Sequence, residues 1–231
     1  IYTGEDTLSL HDALPILARM SMNSFLAQTW NNSQLVIINH GAYTLNQAND
    51  PRIKEIKIDR HPSMTLGDLR NMSIDHADGD WMVQWDDDDW SHPTRIETQM
   101  KYAKKGALVT YLWQIRYGLD TRTAFYDLMP GGQHMSILFH RDSTRHRYLP
   151  LNVREDTAFK AGFSNVVAID NNLLELNLDP SQYIRVFHGN NIWDESHIMG
   201  GSIGERQRLE PGQLLVTPHH AELLDSVFCN I

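Results

Sequence analysis

Residues 34–39, Gln-Leu-Val-Ile-Ile-Asn, form a short apolar and β-branched run that Gly41 ends. A strand with one wet face alternates apolar and polar residues, whereas an unbroken apolar run predicts a strand covered on both faces, as in a parallel sheet packed between helices. The flanking sequence agrees. Ile16, Met20, Ser24 and Ala27 make one helical stripe over Ile16 to Trp30, which stops at Asn31-Asn32. Ile53 to Asp59 alternates and reads as a less buried strand. Leu66, Leu69, Ile74 and Ala77 are spaced for a helix that ends at Asp78-Gly79-Asp80, and Trp81 to Trp85 is the next strand. A helix with Pro93 in its first turn follows, to about Lys105. Helix, strand, strand, helix, strand, helix is α/β grammar, and such sheets bind ligands at the carboxyl ends of their strands.

The second half is less regular. Ala107 to Tyr117, Met135 to Phe139, Val166 to Ile169, Leu173 to Leu176 and Tyr183 to Phe187 read as strands. Pro130-Gly131-Gly132 marks a loop, Glu155 to Phe163 a short helix with Phe159 and Phe163 on one face, and 200–212 a mobile loop. The 231 residues (26.6 kDa) suit a single domain: a nucleotide-binding half to about 105, an acceptor-binding half to about 199, and a C-terminal tail.

Directly after the strand at Trp81 stand four aspartates, Asp86 to Asp89. Their mutual repulsion requires either full solvation or a cation among them. On an extended backbone Asp86 and Asp88 share one side, and Asp87 and Asp89 the other. Carboxylates without thiolates or clustered histidines suit Mg2+ or Mn2+, which bridge protein carboxylates to substrate phosphates. The alternative is a solvated acidic turn that helps to cap the following helix. The twelve histidines are scattered without a ligand spacing, and the lone Cys229 rules out an internal disulfide.

A net charge of -9 gives no support to a nucleic-acid partner. No apolar stretch reaches the roughly 20 residues that span a bilayer, and no signal segment opens the chain. These features predict a soluble, cytoplasmic protein.

The segment MTLGDLRNMSIDHADGDWMVQWDDDDWSHP, residues 64–93, resembles the family 2 glycosyltransferases of the GT-A fold. Gly67, Arg70, Asn71, Ala77, Gly79, Asp86, Asp88, Asp89 and Pro93 fill that family's positions in order. Ser24 to Thr29 resembles its first helix, Arg154 to Phe159 its second acidic motif, and Val186 to Asn191 a late histidine segment.

The resemblance implies a mixed, mostly parallel central sheet flanked by helices, and metal-dependent transfer of one sugar from a nucleoside-diphosphate sugar, with UDP as the expected nucleotide, with inversion. It implies further that Asp86, with Asp87, Arg70, Gly67 and Asn39, binds the nucleotide, and that Asp88, Asp86 and His188 hold Mn2+ or Mg2+. Asp156 would be the general base, with Glu155 supporting it or binding the acceptor, while Gly132, Gln133 and His134 meet the transferred sugar and the acceptor, be it a glycan, a protein or a small molecule.

Two departures stand out. The residues before Pro15 make a poor strand, with only Thr7 to Leu10 eligible, so the N-terminal strand is weak or missing. Asn39-His40-Gly41-Ala42 stands where an Asp-Asp-Gly-Ser turn would read uracil; an asparagine offers both a donor and an acceptor instead. Two alternatives accompany the transferase: a catalytically impaired nucleotide- or glycan-binding module, and a sugar nucleotidyltransferase, which needs a Gly-rich phosphate loop not visible near the start.

Overall fold

The structure, a computed structural model, describes residues 14–41, 44–45, 49–59, 61–143, 147–171, 180–191 and 218–228. In chain order the elements are α1 (Leu14–Leu26), β1 (Leu35–Asn39), β2 (Ile53–Lys57), α2 (Leu66–His76), β3 (Trp81–Val83), β4 (Trp90–Ser91), α3 (Arg95–Lys101), β5 (Leu108–Tyr111), β6 (Trp113–Gly118), β7 (Thr123–Leu128), β8 (Leu138–His140), α4 (Glu155–Ala161), β9 (Val166–Ile169), β10 (Tyr183–Phe187) and α5 (Pro218–Phe228). The candidate strands at 7–10 and 173–176 and the candidate loop at 200–212 lie outside the described residues.

All five residues of β1 are buried, and its two faces meet different helices. Leu35 and Ile37 pack with Met22 and Phe25 of α1 and Ile96 of α3, while Val36 and Ile38 pack with Leu69 of α2. The apolar run is therefore apolar at every position because each face has its own helical cover. β2 runs parallel beside it, with Leu35 opposite Ile53 and Asn39 opposite Lys57. A reciprocal cap starts α2: the Asp68 amide donates to the Thr65 hydroxyl at 3.2 Å, and the Thr65 amide donates to Asp68 Oδ2 at 2.9 Å.

Two four-stranded ladders complete the α/β architecture, in the orders β3-β8-β5-β9 and β4-β10-β6-β7. Parallel pairing is a smaller share than expected: β1 with β2, β10 with β6 and β5 with β9 are parallel, and the other four described pairs are antiparallel. β7 accounts for part of the difference. It forms a hairpin with β6, locked by a buried ion pair from Arg116 Nη2 to Asp127 Oδ2 at 2.7 Å.

Among the described ladders β1 pairs with β2 and β3 with β8, and no pairing joins β1 to β3. Between them lies a cavity of about 460 Å³, bounded by Val36 of β1, Met82 of β3, Ile74 of α2, Phe25 of α1 and Ile96 of α3. Among the described residues β1 and β3 border it, and α1, α2 and α3 complete its named lining.

Candidate active site

β3 ends at Val83, and the chain turns at Asp87-Asp88 before entering β4. The turn breaks the two-residue alternation predicted for the aspartates, so Asp86, Asp88 and Asp89 have different principal partners. Asp86 Oδ1 accepts from Arg70 Nη1 at 2.9 Å. Asp88 Oδ2 faces His188 Nε2 at 3.3 Å and accepts from Asn191 Nδ2 at 3.1 Å. Asp89 is buried and fastens β10: its Oδ1 accepts the Val186 amide at 2.9 Å, and its Oδ2 accepts the Tyr183 hydroxyl.

The charges divide accordingly. Burial and then the charges of Asp88 and Asp86 push the Asp87 and Asp89 carboxyls well above the usual range. Burial acts the same way on Asp88, yet the hydrogen bond and charge of His188, joined by Arg185, outweigh it and hold Asp88 below its usual value. The crowding seen in the sequence is thus relieved residue by residue, by a guanidinium, an imidazole and the raised proton affinity of the other two.

Arg70, buried on α2, binds two carboxylates at once. Its Nη1 reaches Asp86, and its Nε donates to Glu155 Oε1 at 3.0 Å. Its guanidinium also lies 5.7 Å from the centre of the Tyr148 ring. Glu155 is 3% exposed, and burial raises its proton affinity against the pull of Arg70. It supports the site from beneath. The next residue, Asp156, is half-exposed at the start of α4, and its Oδ1 accepts the Thr157 amide at 2.5 Å. Arg154, which precedes α4, has φ +66°, a left-handed conformation that L side chains rarely adopt. Asn71 holds the approach to this helix: its Nδ2 donates to the Tyr148 carbonyl at 2.9 Å, and its Oδ1 accepts the Tyr148 amide at 3.0 Å.

Other predicted site residues have different surroundings. Gly67 is a packing glycine, since an added Cβ would lie 1.8 Å from the Leu149 carbonyl oxygen. Asn39 sits at the carboxyl end of β1 as expected for a ligand position. Its amide is already engaged, donating to Glu55 Oε1 and accepting the Gly41 amide at 2.8 Å. Gly132 and Gln133 are buried and His134 half-buried in one loop. Gln133 Nε2 donates to the Leu112 and Asp127 carbonyls at 3.1 and 3.0 Å, and its Oε1 has no partner among the described residues. His134 Nδ1 lies 3.1 Å from the Thr157 hydroxyl. Burial, then Lys160, depress the proton affinity of His134, against the opposing charge of Asp156.

Thr157 and Asn191 lie inside matched motifs without a role of their own there, and Tyr148 and Lys160 lie outside every motif. Lys160 is four past Asp156 on a helix, so spacing alone marks it as a neighbour of that carboxylate.

Among the described residues no three His, Cys, Asp or Glu side chains are grouped to hold a metal. Asp88 and His188 do come together, and the second ring nitrogen of His188, Nδ1, is buried without a hydrogen-bond partner. One carboxylate and one imidazole fit a divalent ion that takes its other ligands from phosphate and water. Asp86 faces Arg70 instead. No described helix is long and apolar enough to cross a membrane.

The sequence model described as "Glycosyl transferase family 2" matches residues 16–169. No curated protein matches the chain. Among solved structures, S. aureus TarS 1-349 has the same fold, with a TM-score of 0.57, 11% identity and coverage of 80% of this chain and 59% of that one. The chain therefore spans about three fifths of that structure. Crystals of TarS 1-349 in complex with UDP (TM-score 0.57, 11% identity, 82% and 60% covered) and with UDP-GlcNAc (0.54, 11%, 79% and 56%) also match.

Proposed function

The chain belongs to glycosyl transferase family 2, and on that footing we propose that it moves one sugar from a UDP-sugar to an acceptor hydroxyl, with inversion at the anomeric carbon. The observation that carries this reading is the linkage through Arg70: one guanidinium joins Asp86, at the carboxyl end of β3, to Glu155, the neighbour of Asp156. Donor-side carboxylates and a candidate base are thereby held in one framework. The complexes of TarS with UDP and UDP-GlcNAc support a nucleotide-sugar as the donor.

In this reading the nucleotide lies against the acidic turn. Asp88 and His188 would hold Mn2+ or Mg2+, which when bound neutralises charge on the diphosphate. Asp156 acts as general base. With Oδ1 occupied by the Thr157 amide, Oδ2 is the atom that takes the acceptor proton. The acceptor oxygen then bonds to the anomeric carbon from the face opposite the diphosphate, the bond to the diphosphate breaks, and UDP departs with that electron pair. Glu155, buried against Arg70, keeps α4 in register and touches no substrate.

The test is release of UDP from a panel of UDP-sugars with Mn2+, by the parent protein and by the Asp88→Asn and Asp156→Asn variants. Turnover by the parent and its loss in both variants supports the reading. Undiminished turnover in either variant removes that residue's role.

A further inference from the structure

Two side chains of α4 reach the loop that contains Gly132 and His134. Lys160 Nζ donates a hydrogen bond to the Gly132 carbonyl, and the Thr157 hydroxyl lies 3.1 Å from His134 Nδ1. Residues 157 and 160 are one turn apart and project from the same side of the helix. Asp156, the base of the preceding section, stands four residues before Lys160 on that surface.

The far side of the loop is fixed. Gly132 has φ +93°, and its amide donates to the Met129 carbonyl at 2.8 Å. The Gln133 carbonyl accepts the Thr110 hydroxyl at 2.5 Å, and the Gln133 side chain donates to the Leu112 and Asp127 carbonyls. The loop is thus anchored to the β5–β7 region on one side and to α4 on the other. An ammonium at Lys160 is sensitive to its setting: burial lowers its proton affinity, and the charge of Asp156 opposes that.

We propose that Lys160 is a positioning residue, whose ammonium ties Gly132 to the helix that carries Asp156 and so keeps the base and the Gly132–His134 loop in one arrangement. This rests on Asp156 being the base. The assignment of Lys160 comes from its contact with Gly132 and from no motif. A neutral aliphatic side chain at 160 frees the carbonyl and lets loop and helix move independently, while arginine retains the donor.

The experiment uses the full chain with Lys160→Met and Lys160→Arg. Hydrogen–deuterium exchange across residues 129–137 reads the tie directly, and steady-state UDP release from a UDP-sugar with Mn2+ reads its effect. The expected result for Lys160→Met is at least tenfold faster exchange in that segment and at least a tenfold lower kcat, with KM for the UDP-sugar within twofold of the parent. Lys160→Arg restores both. Exchange unchanged in Lys160→Met overturns the proposal, as does faster exchange with kcat unchanged or a loss carried wholly by KM. A parent that turns over no UDP-sugar overturns the transferase reading and the positioning role with it, whereas the exchange measurement still reports whether the tie exists.

Discussion

Arg70 and Glu155 are 85 residues apart in sequence and 3.0 Å apart in space, from Nε to Oε1. Because the same guanidinium also holds Asp86, its removal strands two carboxylates, one of them fully buried. Breaking a buried ion pair by deleting one partner destabilises by about 3–5 kcal/mol. Arg70→Met is expected to fall in or above that range in urea denaturation. Glu155→Gln keeps an acceptor for Nε and relieves a carboxyl that burial already disfavours, so its loss is smaller, roughly 1–2 kcal/mol.

Adjacent aspartates in the acidic turn have opposite effects. Asp88 has a folded-state pKa below the ordinary 3.8, so its stabilisation is fully present above that value and is lost as the pH falls through the folded pKa. Asp87 is raised, so the folded chain holds its proton more tightly, and stability is lost as the pH rises through the window above 3.8. At neutral pH Asp88→Asn should therefore lower the Tm and Asp87→Asn should raise it. Both differences should shrink toward zero as a pH series of thermal scans goes below 3.8.

Calorimetric titration of UDP with and without Mn2+ checks the pairing of Asp88 with His188. Mn2+ is expected to tighten UDP binding in the parent. Asp88→Asn removes that gain, and His188→Ala weakens it by about 10- to 100-fold.

Asp156→Asn isolates the proton transfer. The loss expected is about 10²–10⁴-fold in kcat, the usual scale of general-base catalysis. UDP affinity and Tm should stay at parental values, because Asp156 is half-exposed and its neighbour Glu155 carries the contact with Arg70.

Three glycines separate packing from conformational demand. Gly67→Ala forces a methyl to within 1.8 Å of a carbonyl oxygen, and Gly132→Ala meets Thr110 Cγ2 at 2.0 Å with φ +93° besides. Each is expected to cost at least the 1–3 kcal/mol typical of overpacking, about 2 kcal/mol at the centre of that range. Gly131, with φ +83° and nothing within 4 Å of the added methyl, should lose only about 1 kcal/mol as alanine. Thr110→Ser removes the colliding methyl and should recover part of the Gly132→Ala loss and none of the Gly67→Ala loss.

What the sequence disclosed was mostly local. The unbroken run at 34–39, the helix at 66–76 and the acidic turn after Trp81 each announce themselves within a few residues, and the structure contains all three. What stayed hidden were contacts distant in sequence. The motif marks Gly67, and only the backbone 82 residues later at Leu149 explains why no side chain fits there. Asn39 offers a donor and an acceptor, and the parallel strand that brings Glu55 beside it cannot be inferred from its own segment. The hairpin strand at Thr123–Leu128 carries few β-branched residues and a buried aspartate whose partner, Arg116, belongs to the opposite strand, so its period was hidden. The aspartates were assigned to faces by an extended backbone, and the turn at 87–88 redistributed them.

The seam between β1 and β3 has a practical implication. Val36, Met82, Ile74, Phe25 and Ile96 wall a void of about 460 Å³, so one of them can be enlarged by a carbon without displacing its neighbours. A volume-increasing change such as Val36→Ile is then a route to a sturdier preparation, read as a higher melting temperature, because it takes more apolar area out of water.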